Sequence, residues 1–92
     1  MAQVVVTLKI MPESPKTDLG KINEMAKRHI KEFCDSTEFK EEVEPVAFGL
    51  KALKITFVMD EKLGSTDALE DNIREINEVQ SVEVIDVRRA IG

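Results

Sequence analysis

The sequence predicts an α+β protein: a ferredoxin-like βαββαβ sandwich, with a four-stranded antiparallel sheet and two helices on one face. Three observations carry that expectation. Hydrophobic spacing switches between a period of two and a helical period in the order strand, helix, strand, strand, helix, strand. Proline, glycine and short polar residues punctuate each switch. No repeat or linker divides the 92 residues, a length that suits one small core. The expected organisation is therefore a single domain over residues 1–92, with right-handed crossovers joining its strands.

Each element has its own signal. In residues 3–11, Val4, Val6, Leu8 and Ile10 share one face, and Val5, Thr7, Lys9 and Met11 the other. Both faces begin apolar, so this β-branched strand is expected to be central. "PESPKTDLG" breaks the pattern with two prolines and ends in a helix cap at Thr17 or Asp18. Over residues 19–34 the apolar positions Leu19, Ile22, Met25, Ala26, Ile30 and Phe33 fall on one side of a helix. "DSTEFKEE" reads as a polar break, followed by a weak strand over 42–48 whose Pro45 implies an edge or a bulge.

Residues 50–59 form a stronger strand, with Leu53, Ile55, Phe57 and Met59 on one face and Lys54 and Thr56 on the other. "DEKLGSTD" is a turn signal. The helix after it starts either with a capping box from Asp67 to Glu70 or with Ser65 or Thr66 as the cap. It carries Leu69, Ile73 and Ile76 inward and is expected to stop near Asn77. Residues 79–88 are the last strand. There Val82 and Val84 face one way and Ile85 and Val87 the other, a change of phase that implies a bulge or burial on both faces.

Composition removes several classes of function. The net charge is −5, with neither Trp nor Tyr. That is a poor match to nucleic acid, which favours a basic surface and stacking aromatics, so no nucleic-acid partner is expected. No stretch approaches the ~20 apolar residues of a bilayer-spanning helix, and the N-terminus lacks a basic run before its apolar residues. Together with a lone cysteine, Cys34, this gives the expectation of a cytoplasmic protein with no membrane partner. One cysteine and one histidine, His29, fall short of a zinc site, and no acidic loop has calcium spacing. No metal and no cofactor are expected. His29 and Cys34 lie beside the apolar stripe of the first helix and read as packing residues. The scattered glycines form no phosphate-binding loop and no nucleophile motif is present, so the protein is not expected to be an enzyme.

Two segments stand out. "VAFGLKAL" (46–53) sets an aromatic, Phe48, against a glycine, Gly49, where two strands meet. A β-hairpin or a β-bulge, in which Gly49 permits a tight backbone and Phe48 packs locally, accounts for the pair. The C-terminal "VRRAIG" places Arg88 and Arg89 after an otherwise acidic helix and strand. Here the sequence resembles the translation elongation factor 1-beta family, in its archaeal form and in the C-terminal exchange domain of its eukaryotic form. The resemblance spans the chain: "VVVTLKIMPES" is similar to the opening strand, "EPVAFGLKALKITFVMDE" to the most recognisable block, and "STDALEDNIREINEVQSVEVIDVRRAIG" to the closing helix and strand.

The resemblance implies guanine nucleotide exchange on elongation factor 1-alpha, the GTPase that carries aminoacyl-tRNA, without covalent chemistry. It implies that Phe48, with Gly49 and Lys51, contacts that GTPase. It further implies that Arg89, with Arg88 beside it, matches the near-terminal eukaryotic lysine that reaches towards the magnesium and phosphate site. This sequence departs from the family pattern in having Ala47 in place of a first glycine and Ala52 in place of a second lysine, which leaves Lys51 alone. A monomer is the expected state. The alternative reading of the same βαββαβ order is an ACT-like small-molecule sensing domain, for which "PESPKTDLG" offers only Gly20 at the expected glycine-rich turn. An RNA-recognition domain shares the topology but needs aromatics on its central strands, and Val4–Ile10 contain none.

Overall fold

The structure is a computed structural model that describes residues 2–36 and 38–90. Its elements run β1 (Gln3–Pro12), α1 (Leu19–Cys34), β2 (Phe39–Pro45), β3 (Lys51–Asp60), α2 (Asp67–Arg74) and β4 (Val79–Arg89). The strands form one antiparallel sheet in the order β2-β3-β1-β4. Both helices cover the same face, α1 against β3 and α2 against β4, and they touch each other. This is the expected ferredoxin-like sandwich. β1 is central, as expected from two faces that both begin apolar, and Pro45 sits on an edge strand that does not need its missing N–H.

The core lies between the helices and one sheet face. Val6, Leu8 and Ile10 of β1 meet Leu53, Ile55, Phe57 and Met59 of β3, and all are buried. Ile22, Ala26 and Ile30 of α1 and Leu69 and Ile73 of α2 close over them. Met25, counted on the apolar stripe, lies at its shoulder and is 37% exposed. Asp18 is the α1 N-cap, its carboxylate accepting from the Lys21 N–H at 3.3 Å. At the other end, Asp35 turns left-handed (φ 59°) and donates its N–H to the Lys31 carbonyl.

Three local expectations change. β2 covers Phe39–Pro45 rather than 42–48, so the supposed polar break supplies half of it. Its polarity is that of an edge strand, which carries charge where a central strand cannot. Glu41 pairs with Lys27 and accepts from Asn23 Nδ2 at 2.6 Å, Glu44 pairs with Lys54, and Phe39 lies opposite Phe57 at the core margin. α2 begins after Thr66, whose hydroxyl donates to Glu70 at 2.7 Å, and ends at Arg74 rather than near Asn77. The chain then tightens. Ile76 N–H bonds the Ile73 carbonyl, Val79 N–H bonds the Ile76 carbonyl, and Glu78 is left-handed (φ 72°), with Ile76 still buried. In β4, Thr7 faces Asp86 but Leu8 faces Val84, so Ile85 is an extra residue. That bulge is the source of the change in phase.

Candidate functional site

The β2–β3 hairpin closes on Ala47–Gly49. Phe48 (φ 62°) and Gly49 (φ 75°) are both left-handed, and the Leu50 N–H bonds the Ala47 carbonyl at 3.2 Å. Two consecutive positive φ angles are the signature of a type I′ turn, whose twist matches that of the flanking strands. Glycine occupies such a position freely. Phenylalanine does so at about 1–2 kcal/mol, because its Cβ crowds the carbonyl. The Phe48 side chain recovers little of this cost through packing, since it is 94% exposed. It is thus a strained, bulky apolar residue held in water at the tip of a hairpin.

Lys51 begins β3 and is exposed, with no ion pair among the described residues. It lines a shallow cleft of about 270 Å³ together with Pro12, Ser14, Pro15, Thr17, Asp18 and Leu19. A side chain at Gly49 would lie 4.0 Å from Pro15, so the hairpin and the loop before α1 are neighbours. Phe48, Gly49 and Lys51 therefore form one surface at one end of the sheet.

Arg88 and Arg89 lie elsewhere. They pair with Val5 and Val4 at the start of β1, and Val4 in turn pairs with Met59 near the end of β3. From Lys51 to Met59 is eight steps along β3, or about 26 Å, and β4 is three strand spacings from β2. The hairpin tip and Arg89 thus occupy opposite corners of the sheet, roughly 30 Å apart, on a body 42 Å long. Successive strand residues alternate faces. Arg88 shares the open face with Asp86, its Nε donating at 2.9 Å, and Arg89 lies on the helix side, its Nη2 donating to Glu61 at 2.7 Å. Both pairs are exposed, the range in which an ion pair contributes about 0–1 kcal/mol and exchanges partners cheaply.

The other residues with possible chemistry are structural in their surroundings. Cys34 is half-buried, its thiol donates to the Ile30 carbonyl at 3.3 Å, and burial raises its pKa above the ordinary thiol value. His29 is half-buried on α1. Among the described residues no three potential metal ligands cluster, and no helix is long and apolar enough to cross a membrane. The open sheet face carries Val5, Thr7 and Lys9 beside Val58, Thr56 and Lys54, with Thr7 and Thr56 hydroxyls 3.0 Å apart. The aromatics of the sheet, Phe39 and Phe57, are on the helix side, so the described sheet offers no stacking platform for RNA. The partner of Arg89, Glu61, carries no signal of its own in the sequence. Its proximity to Arg89 depends on two strands that are remote in sequence lying either side of β1.

Fold and surface together describe a class: a small α+β sandwich with an exposed aromatic turn at one end of its sheet and two exposed arginines at the opposite corner. Residues 5–90 match the family described as the EF-1 guanine nucleotide exchange domain. The chain is 47% identical over 89 residues to elongation factor 1-beta of Methanosphaera stadtmanae, covering 97% of this chain and 98% of that one. It is 41% identical over 83 residues to the same factor of Nanoarchaeum equitans, covering 90% and 100%. The chain belongs to the elongation factor 1-beta family. Among solved structures, the de novo designed protein Foldit4 is similar at a TM-score of 0.63 and 18% identity, with 98% of each chain covered. The C-terminal domain of a cyclometallase is similar at the same TM-score, with 10% identity and 99% of this chain but 58% of that one covered. These two show the fold alone. Family membership favours the exchange domain over the sensing domain as the reading of this topology.

Proposed function

We propose that this protein is a guanine nucleotide exchange factor that speeds GDP release from elongation factor 1-alpha and so allows GTP loading during protein synthesis. It acts as a single monomeric domain and makes or breaks no covalent bond. The observation that carries the site is Phe48, an apolar side chain kept exposed on a strained backbone. Such strain persists where function requires it, and a protruding aromatic is the kind of side chain that anchors an interface. Gly49 completes the turn that presents it, and Lys51 adds an exposed cation beside it.

A GTPase of this kind holds the β-phosphate and magnesium through a phosphate loop and mobile switch segments. The exchange factor and GDP each weaken the other's binding, and the coupling is reciprocal. Each tenfold loss of GDP affinity requires about 1.4 kcal/mol of coupling. The separation of the two ends suggests a division of labour. Phe48, Gly49 and Lys51 anchor one region of the GTPase, while Arg89 and Arg88 bring positive charge to its magnesium and phosphate site. Cationic groups there repel magnesium and compete for the phosphate, loosening the bound nucleotide.

The test is release of fluorescent GDP from purified archaeal elongation factor 1-alpha. Addition of this protein is expected to accelerate release, and Phe48→Ala and Arg89→Ala are each expected to slow it with the fold retained. No acceleration at saturating concentration, with the GTPase shown to be active, overturns the proposal.

A further inference from the structure

The two C-terminal arginines are held in different ways. Arg88 pairs with Asp86, two residues back on the same strand and the same face. That contact is local and fixes nothing beyond β4. Arg89 pairs with Glu61, which follows β3, whereas Arg89 ends β4. Since β1 lies between β3 and β4, the pair bridges two strand spacings, over the beginning of β1.

Both ends of the bridge are anchored by backbone. On the Glu61 side, the Glu61 N–H bonds the Ala2 carbonyl at 3.1 Å and the Gly64 N–H bonds the Glu61 carbonyl at 3.1 Å. The Asp60 carboxylate caps the same 3-10 turn, Glu61–Leu63, accepting from the Lys62 N–H at 2.9 Å. On the Arg89 side, the Ala90 N–H bonds the Gln3 carbonyl at 2.8 Å. The rest of the connection is the two side chains, whose rotamers the backbone hydrogen bonds do not fix. An unconstrained arginine side chain carries about 2 kcal/mol of rotamer entropy, part of which is lost whenever it is aimed at a target.

We propose that Glu61 is a positioning residue for nucleotide exchange: it orders the Arg89 guanidinium before the partner docks, so that the charge arrives already directed. This rests on the reading that Arg89 approaches the partner's nucleotide site. Glu61 itself needs no contact with the nucleotide. Its effect is transmitted through Arg89 and falls on the maximal rate of release, while the half-saturating concentration is set largely by the Phe48 end.

The experiment compares wild type, Glu61→Gln, Arg89→Ala and the double variant in GDP release from the GTPase over a range of concentrations. Glutamine keeps the size and one acceptor of Glu61 and removes its charge. The Glu61→Gln variant is expected to lower the maximal rate about two- to five-fold, the range an exposed ion pair supplies, and the double variant is expected to match Arg89→Ala alone. Glu61→Asp, which keeps the charge but shortens the reach, is expected to show the same loss. In the free protein, Glu61→Gln is expected to move the Arg89 guanidinium NMR signals towards those of unrestrained arginine.

Equal losses from Glu61→Gln with and without Arg89 would show that Glu61 acts independently and would overturn the inference. So would unchanged guanidinium signals. If Arg89→Ala slows release and Glu61→Gln does not, the tether is wrong and the Arg89 reading stands. If Arg89→Ala releases GDP at the wild-type rate, both fall.

Discussion

Replacing Phe48 by asparagine separates strain from packing at the hairpin tip. Asparagine tolerates the left-handed region, and Asn-Gly is the favoured pair for a type I′ turn. Of the about 1–2 kcal/mol that a bulky residue costs there, relief of roughly half, or about 0.5–1 kcal/mol, is expected. The opposing loss is small. A phenylalanine that buries about 200 Å² when enclosed here keeps 94% of its surface in water, so the lost burial amounts to about 0.3 kcal/mol at ~25 cal/mol per Å². Phe48→Asn should therefore stabilise the protein by about 0.5 kcal/mol and raise Tm by about 2–4 °C. The same substitution should weaken the GTPase complex by about 2 kcal/mol, roughly thirty-fold, if Phe48 is an interface anchor. Urea denaturation and titration of the GTPase read the two effects. Destabilisation beyond 1 kcal/mol would refute the packing reading, and unchanged affinity would refute the anchor.

Three further outcomes are expected. Gly49→Ala should cost about 1 kcal/mol in denaturation experiments, from the positive φ alone, because the added Cβ finds ordinary van der Waals room against Pro15 at 4.0 Å. Ile30→Ala should cost about 2–5 kcal/mol, since Ile30 is completely buried; a loss under 1 kcal/mol would mean that α1 is not packed as described. The third concerns pH. Hydrogen bonds from Lys27 and then Asn23 hold the Glu41 carboxyl below its ordinary pKa, so its stabilising effect is complete above that ordinary value. It is lost as pH falls through the depressed one. The stability of Glu41→Gln should accordingly fall less steeply with acid over that window, measured by denaturation at stepped pH, and a slope identical to wild type would count against the ion pair in solution.

Much of this molecule was legible as pattern. The β-branched run through Val4–Ile10, with both faces beginning apolar, announced a central strand, although its second face, Val5, Thr7 and Lys9, stays on the open side of the sheet. The alternation through Leu53–Met59 gave the buried face of β3, and the stripe through Ile22, Ala26 and Ile30 gave that of α1. The end of α2 and the start of β2 were less legible, because a short helix and a charged edge strand both carry weak periodicity. Edge strands hide their apolar signal behind ion pairs such as Glu41–Lys27, which join residues distant in sequence.

The sequence by itself determined the order of elements, the apolar faces that form the core, and the presence of an aromatic and a glycine where β2 turns into β3. The chain-wide family match rests on the sequence as well. Only the tertiary structure decided that Phe48 stands outside the core on a left-handed backbone, since exposure and φ depend on how the two strands close. It also decided the separation of Phe48 from Arg89, which follows from the β2-β3-β1-β4 order, and the meeting of Arg89 with Glu61. Those distances arise from strand register and twist across the sheet, and no local run of residues encodes them.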